Sequence, residues 1–194
     1  MERVFWGCSN MVLNATDTPD LSQVSSMKLM FYQCSNFNGT INSWDVSNVT
    51  NMSSMFHNAI SFDQPLNNWD VSNVINMQAM FWLAESFDQP LNDWDVSNVD
   101  SMIYMFNEAD SFNQPLDTWD ISNVTDMHGM FYKATSFNQD LSSWSFNAEV
   151  NFYDDSFYQT GFIEDSGLDI YNYDNLLERF EEIGLVNKTL VADN

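Results

Sequence analysis

Four aspartates, Asp45, Asp70, Asp95 and Asp120, each follow a tryptophan at an interval of 25 residues. If the chain makes one coil per interval, their carboxylates line up about 5 Å apart. Like charges so close raise one another's pKa and require hydrogen bonds, protons or cations for relief. Calcium takes its oxygens from carboxylates, carbonyls and water, so the row, with Asp93, Ser72 or Ser97 beside it, is a candidate site of weak calcium affinity. The competing reading is that each aspartate accepts bonds from the backbone of its own Asp-Val-Ser-Asn segment in an Asx-type turn. A second candidate lies where the repeats differ. Trp82 and Tyr132 follow a Met-Phe pair, as does His57, while Tyr104 and His128 fall between paired methionines. Trp82, Tyr104 and Tyr132 are expected as exposed aromatics along one flank. With His57 and His128 they make a candidate partner-binding surface, because aromatics are enriched at interface hot spots. Packing against neighbouring coils is the alternative. No catalytic residue is assigned: no Ser, Cys or His stands in a nucleophile motif, six glycines build no phosphate loop, and no Cys/His metal cluster appears.

The elements that would position these residues follow from the period. Trp44, Trp69, Trp94, Trp119 and Trp144 recur every 25 residues, as do Val49, Val74, Val99 and Val124, the pairs from Met52/Met55 to Met127/Met130, and rows beginning at Phe31, Cys34, Phe37 and Ile41. A unit of this size buries its apolar side only by stacking on neighbours. Leu66, Trp69 and Val71 have the spacing of a leucine-rich-repeat strand. Val74, Met77, Met80, Phe81 and Ala84 recur at three and four, the spacing of a short helix, and Pro90 closes the loop. The expected fold is an α/β repeat: a right-handed leucine-rich-repeat-like solenoid with a parallel β-sheet, short helices and a C-terminal capping helix. Residues 1–168 form the repeat array, with a partial first coil, full coils starting near residues 19, 44, 69, 94 and 119, and a degenerate coil from 144. There Val150, Tyr153, Phe157 and Ile163 keep register after one inserted residue. Residues 169–194 form the cap, whose helix is expected to start at Asn172, bury Tyr173, Leu176, Leu177, Phe180 and Ile183, and stop at Gly184.

Composition narrows the partners. The 194 residues carry 28 acidic against 5 basic side chains, a formal charge of −23. Such a surface repels nucleic acid and anionic membrane alike. No run is long enough to span a bilayer, so neither nucleic acid nor membrane insertion is expected. Cys8 and Cys34 occupy matching segments, FWGCSNM and FYQCSNF, and are read as two buried free thiols, with a bridge between adjacent coils as the alternative. No signal peptide is visible, and Met1 stands inside a repeat-like segment, as if a coil had been cut. Dimerisation through that open coil would follow.

The units FDQPLNNWDVSNVINMQAMF, SFDQPLNDWDVSNVDSMIYMF and SFNQPLDTWDISNVTDMHGMF resemble the 25-residue repeat of bacterial surface proteins called BspA-like leucine-rich repeats, over roughly residues 1–163. The resemblance implies a secreted or cell-surface protein used for adhesion, binding protein or glycan partners without catalysis. A structural spacer is the alternative, and a β-helix-type carbohydrate-active enzyme the more distant one, since acids that recur identically in every coil do not define one active site. No cofactor is expected beyond weakly held calcium.

Overall fold

The computed structural model describes residues 1–15, 17–153 and 159–185. Its repeating unit is a 25-residue coil made almost wholly of turns, stacked on the next coil through backbone hydrogen bonds. The expected parallel β-sheet and short helices are not formed. Among the described residues no strand appears, pairing between coils reduces to single parallel bridges (Ser26 to Asn51, Asn51 to Asn76, Asn76 to Ser101, Ser101 to Asp126, Asp126 to Asn151), and the one helix is α1, Ile170–Glu182. The α/β solenoid of leucine-rich-repeat type is therefore corrected to a stack of turn-built coils.

The reason is local. The run Leu66–Trp69–Val71 is no strand, because Trp69 N–H donates to Leu66 C=O at 3.0 Å and Val74 N–H to Val71 C=O at 2.8 Å, closing two turns in succession. Coil-to-coil links here come from side chains instead. Trp69 Nε1 donates to Ile41 C=O, Trp94 to Leu66, Trp119 to Leu91 and Trp144 to Leu116, at 2.8–3.1 Å. The asparagine row adds Asn73 to Ser47 C=O, Asn98 to Ser72 C=O and Asn123 to Ser97 C=O.

The methionine-phenylalanine segment has helical spacing but no helical path. Met80 N–H returns to Met77 C=O and Ala84 N–H to Phe81 C=O, three residues back rather than four. The third residue of each such turn is left-handed: Ala79 has φ 55° and Leu83 φ 57°, and the same is true of Ser54 and Asn58, and of Tyr104 and Glu108. This is the position that turns left-handed in type II geometry, where glycine is the usual occupant. A non-glycine residue there costs roughly 1–2 kcal/mol. The compensation is visible in the same residues. Turning the chain this way frees alternate N–H groups to point at the next coil, so that Met77, Ala79, Phe81 and Leu83 donate to the carbonyls of Ser101, Ile103, Met105 and Asn107 at 2.7–3.1 Å. Coils before and after repeat the pattern.

Side chains then stack in register. Phe31, Phe56, Phe81, Phe106 and Phe131 form a column with neighbouring ring centroids 5.5–5.7 Å apart, and Phe37, Phe62, Phe87, Phe112 and Phe137 a second at 5.7–6.1 Å. The tryptophan, valine and methionine rows are buried around them. Cys34 sits in this core, its thiol donating to Phe5 C=O at 2.9 Å, whereas Cys8 is exposed; both are free, so neither the bridge nor the pair of buried thiols is seen. Burial pushes the Cys34 thiol up to about 11. Since the thiolate is the reactive form, a thiol reagent is expected to modify Cys8 in the native protein and Cys34 only on unfolding. Equal rates at both sites, read by mass spectrometry of the labelled peptides, would contradict the stacking of the first two coils.

The end of the stack is built by imitation. In each coil an Asn or Asp side chain accepts from the backbone one coil on: Asn38 from Asp63, Asp63 from Asp88, Asp88 from Asn113, Asn113 from Asn138. Asn138 Oδ1 then accepts from Asp169 N–H at 2.9 Å, so Asp169 takes the next rung. Its own carboxylate accepts from Tyr171 and Asn172 N–H and caps α1, three residues before the expected cap. Asn172 instead donates its side chain to Asn138. Leu176 and Phe180 are buried against the last coil, Leu177 is 40% exposed, and Gly184 ends the helix at φ 69°. Phe131 and Lys133 N–H reach the carbonyls of Phe162 and Glu164, an offset of 31 residues where the preceding coils use 24. The last coil thus carries a longer insertion than the single residue expected; Phe157 lies outside the described residues.

Candidate aromatic flank and pocket

The aspartate row resolves into separate turns. Asp45, Asp70 and Asp95 each accept, through Oδ1, the backbone N–H of the serine two residues on at 3.1 Å and its hydroxyl at 2.6 Å; Asp120 accepts the Ser122 N–H at 3.1 Å. The serine hydroxyls first, and the backbone N–H groups second, hold the Asp45 and Asp95 carboxyls below the usual carboxylate range. Among the described residues no three His, Cys, Asp or Glu side chains gather as they would to hold a metal ion. The geometry is that of Asx turns repeated four times.

The variable aromatics are brought together. Trp6, Tyr32, His57, Trp82, Tyr104 and His128 form a run in which each ring lies 4.5–5.1 Å from the next. The first four occupy one row, in successive coils. At the next coil that row holds Asn107, and Tyr104, from the row beside it, carries the run onward to His128. None of His57, Trp82, Tyr104, Tyr132 and His128 is fully exposed; all are half-buried, the first two, Tyr104 and His128 by stacking in the run, whereas Tyr132 lies outside it. The histidines are therefore members of the flank rather than free surface residues. His128 Nδ1 lies 2.6 Å from Asp126 Oδ1. Burial raises the Asp126 carboxyl, while its bonds to His128 and Asn151 and the attraction to His128 pull it down further, leaving it below the usual range.

His57 is lowered from 6.5 to about 4 by burial between Tyr32 and Trp82. The folded chain thus disfavours a proton that the unfolded chain accepts. Stability from the neutral ring is complete above pH 6.5, falls as pH drops toward 4, and levels off below. We expect a loss of about 1–2 kcal/mol between pH 7 and pH 5, allowing for partial exposure. In urea titrations this contribution should vanish in His57→Phe; an unchanged pH slope in that variant would place the imidazole in water.

Asn107 leaves a gap between Trp82 and Tyr132 in their row. A pocket of about 230 Å³ opens there, lined by Trp82, Tyr104, Asn107, Glu108, Tyr132, Lys133 and Thr160. Gly129 makes room for the Tyr104 ring, which a Cβ at that position would overlap, and the Thr160 hydroxyl donates to the Tyr104 oxygen at 3.0 Å. Lys133 Nζ lies 4.9 Å from the centre of the Tyr132 ring. Two polar atoms of lining residues, Trp82 Nε1 and Asn107 Oδ1, are buried without a hydrogen-bond partner. Trp82, Tyr104 and Tyr132 were legible in the sequence as places where coils differ. Asn107, Glu108 and Lys133 stand among the same variable positions but were not taken as site residues, and Thr160 was not singled out, although an asparagine interrupting an aromatic row was a usable signal.

The protein family described as "Mycoplasma protein of unknown function, DUF285" matches residues 1–101 and again residues 76–171, the second match starting three coils after the first. The chain belongs to the DUF285 family. No curated protein and no solved structure matches it. The two overlapping matches agree with the stacking: the DUF285 pattern can be laid on the chain at either of two registers three coils apart, because the coils are equivalent in backbone and core. What distinguishes one coil from another is the aromatic flank. Among the described residues of this DUF285 chain, no helix is long and apolar enough to cross a membrane.

Proposed function

We propose that this DUF285 chain is a non-enzymatic binding or adhesion module displayed outside the cell, in the manner of the BspA-like surface proteins whose repeats it resembles, and that it engages a protein or glycan partner along the aromatic flank. The observation that carries this reading is the unbroken run of rings from Trp6, which is exposed, through the half-buried Tyr32, His57, Trp82 and Tyr104 to His128. Rings already fixed by stacking lose little conformational freedom on binding, which favours them as anchors. The core rows recur from coil to coil for packing reasons, so the non-repeating flank is where a specific surface can be written. The charge of −23 steers basic or neutral partners toward the chain and keeps nucleic acid away.

The test is binding of the labelled chain to an array of extracellular-matrix proteins and glycans, comparing wild type with Trp82→Ala and Tyr132→Ala, and with Asp70→Asn as a change outside the flank. The expected result is a loss of roughly tenfold or more for the flank variants alone, the size of a hot-spot truncation. Binding that survives both flank variants would move the site elsewhere. Binding to nothing arrayed would leave a stiff spacer.

A further inference from the structure

The pocket beside Asn107 carries more information than the flank as a whole. Asn107 is only 2% exposed, yet its Oδ1 has no donor, and the neighbouring Trp82 Nε1–H has no acceptor. Buried polar atoms are almost always paired, so an unpaired donor and an unpaired acceptor on two residues that line one pocket need an explanation. Among the described residues the one other such atom is Ser53 Oγ, and the tryptophan N–H groups of Trp69, Trp94, Trp119 and Trp144 all find a carbonyl.

We infer that this pocket is a subsite for one neutral sugar ring of a glycan, held on the aromatic walls and hydrogen-bonded to Trp82 and Asn107 after a small adjustment of those side chains. The inference rests on the binding-module reading and narrows it. Four features select this chemistry. The missing partners are one acceptor and one donor, and a hydroxyl is both. A guanidinium or ammonium group would satisfy Asn107 and leave Trp82 unpaired, while a carboxylate or phosphate would do the reverse. The lining pairs one carboxylate, Glu108, with one ammonium, Lys133, so it favours neither sign of charge even though the whole molecule is strongly acidic. Aromatic carbon of Trp82, Tyr104 and Tyr132 lines the pocket, a surface on which the C–H face of a sugar can pack, and 230 Å³ limits the occupant to a group of about one ring, below the size of ordinary drug-sized sites.

The experiment titrates the full chain with glucose, galactose, mannose and N-acetylglucosamine, and with maltotriose, cellotriose and chitotriose, following indole N–H resonances by NMR and heat by calorimetry. The expected result is saturable binding of at least one sugar, in the millimolar range for a single ring, with a shift of the Trp82 resonance identified by its loss in Trp82→Phe. Trp82→Phe keeps a six-membered ring in the stack and removes the unpaired N–H together with the rest of the five-membered ring. Asn107→Leu keeps the branched shape and the heavy-atom count of the side chain while removing the unpaired oxygen and the amide nitrogen. Each should weaken binding about tenfold, the loss of one buried hydrogen bond, without lowering the melting temperature. Undiminished binding in both variants would place the sugar elsewhere and overturn the assignment. So would the absence of binding by every neutral sugar, or a preference for an arginine-containing peptide displaced by the same variants. If sugars fail while an arrayed protein still binds through the flank, the pocket assignment falls and the binding-module reading stands; if both fail, both fall.

Discussion

Trp94→Ala is expected to lower the unfolding free energy by about 3–5 kcal/mol, as for truncation of a buried large aromatic. Two losses combine. Trp94 is 3% exposed and lies within 6.5 Å of Phe81, between ring centroids, so its removal opens a cavity beside the phenylalanine column. Its Nε1–H also supplies the 3.1 Å bond to Leu66 C=O in the preceding coil, where turns rather than a sheet leave the backbone to be tied by side chains. Trp94→Phe separates the two losses: most of the apolar ring stays, the carbonyl loses its donor, and the cost should be about 1–2 kcal/mol. Each coil touches its neighbours through the same set of bonds, so unfolding of the array should remain one transition, followed by urea and circular dichroism. A cost below about 1 kcal/mol for Trp94→Ala would mean that the tryptophan row is not buried.

Much of this architecture was legible because burial is written into the period. Trp69, Val71, Val74, Met77, Met80, Phe81, Ala84 and Phe87 all face the interior, as their recurrence requires. The path between them was not. Alternation at Trp69 and Val71 fits a strand, and three-four spacing from Met77 to Ala84 fits a helix, but both patterns record only which side chains point inward. Turns closed three residues apart, with left-handed residues between, deliver the same set. The usual signal for such turns is glycine, and the positions that need it hold Ala79, Leu83, Ser54 and Asn58. What stabilises them is the bonding to the next coil, which no local propensity reports. The cap shows the same limit. The apolar face of α1 marks the helix, while its start depends on Asp169 replacing a rung of an Asn/Asp ladder that only stacking reveals. At the site, the aspartate row illustrates how a repeated charge can be consumed by its own backbone. The aromatic flank was visible as variation, and the pocket was not, because it arises from an absence, Asn107 where a ring is expected.

Gly129→Ala should destabilise the protein by about 2–3 kcal/mol, far more than alanine costs in the same row of a neighbouring coil. Gly129 has φ 60°. Ala79 occupies the equivalent position two coils earlier at φ 55° and is buried, so a methyl group in this left-handed conformation is tolerated by the coil itself. The difference is the Tyr104 ring, which lies where the new Cβ would be and is anchored by Thr160 and by its contacts with Trp82 and His128. Backbone strain alone accounts for about 1 kcal/mol, and the remainder belongs to the displaced ring. A double-mutant cycle tests the division: in a Tyr104→Ala background Gly129→Ala should cost only about 1 kcal/mol, giving a coupling of roughly 1–2 kcal/mol. Equal costs in both backgrounds would show that the ring moves aside freely and that Gly129 does not hold it. Because Tyr104 is a wall of the pocket, the same substitution should perturb the Trp82 indole resonance even in the native state, linking the one glycine of this row to the shape of the binding surface.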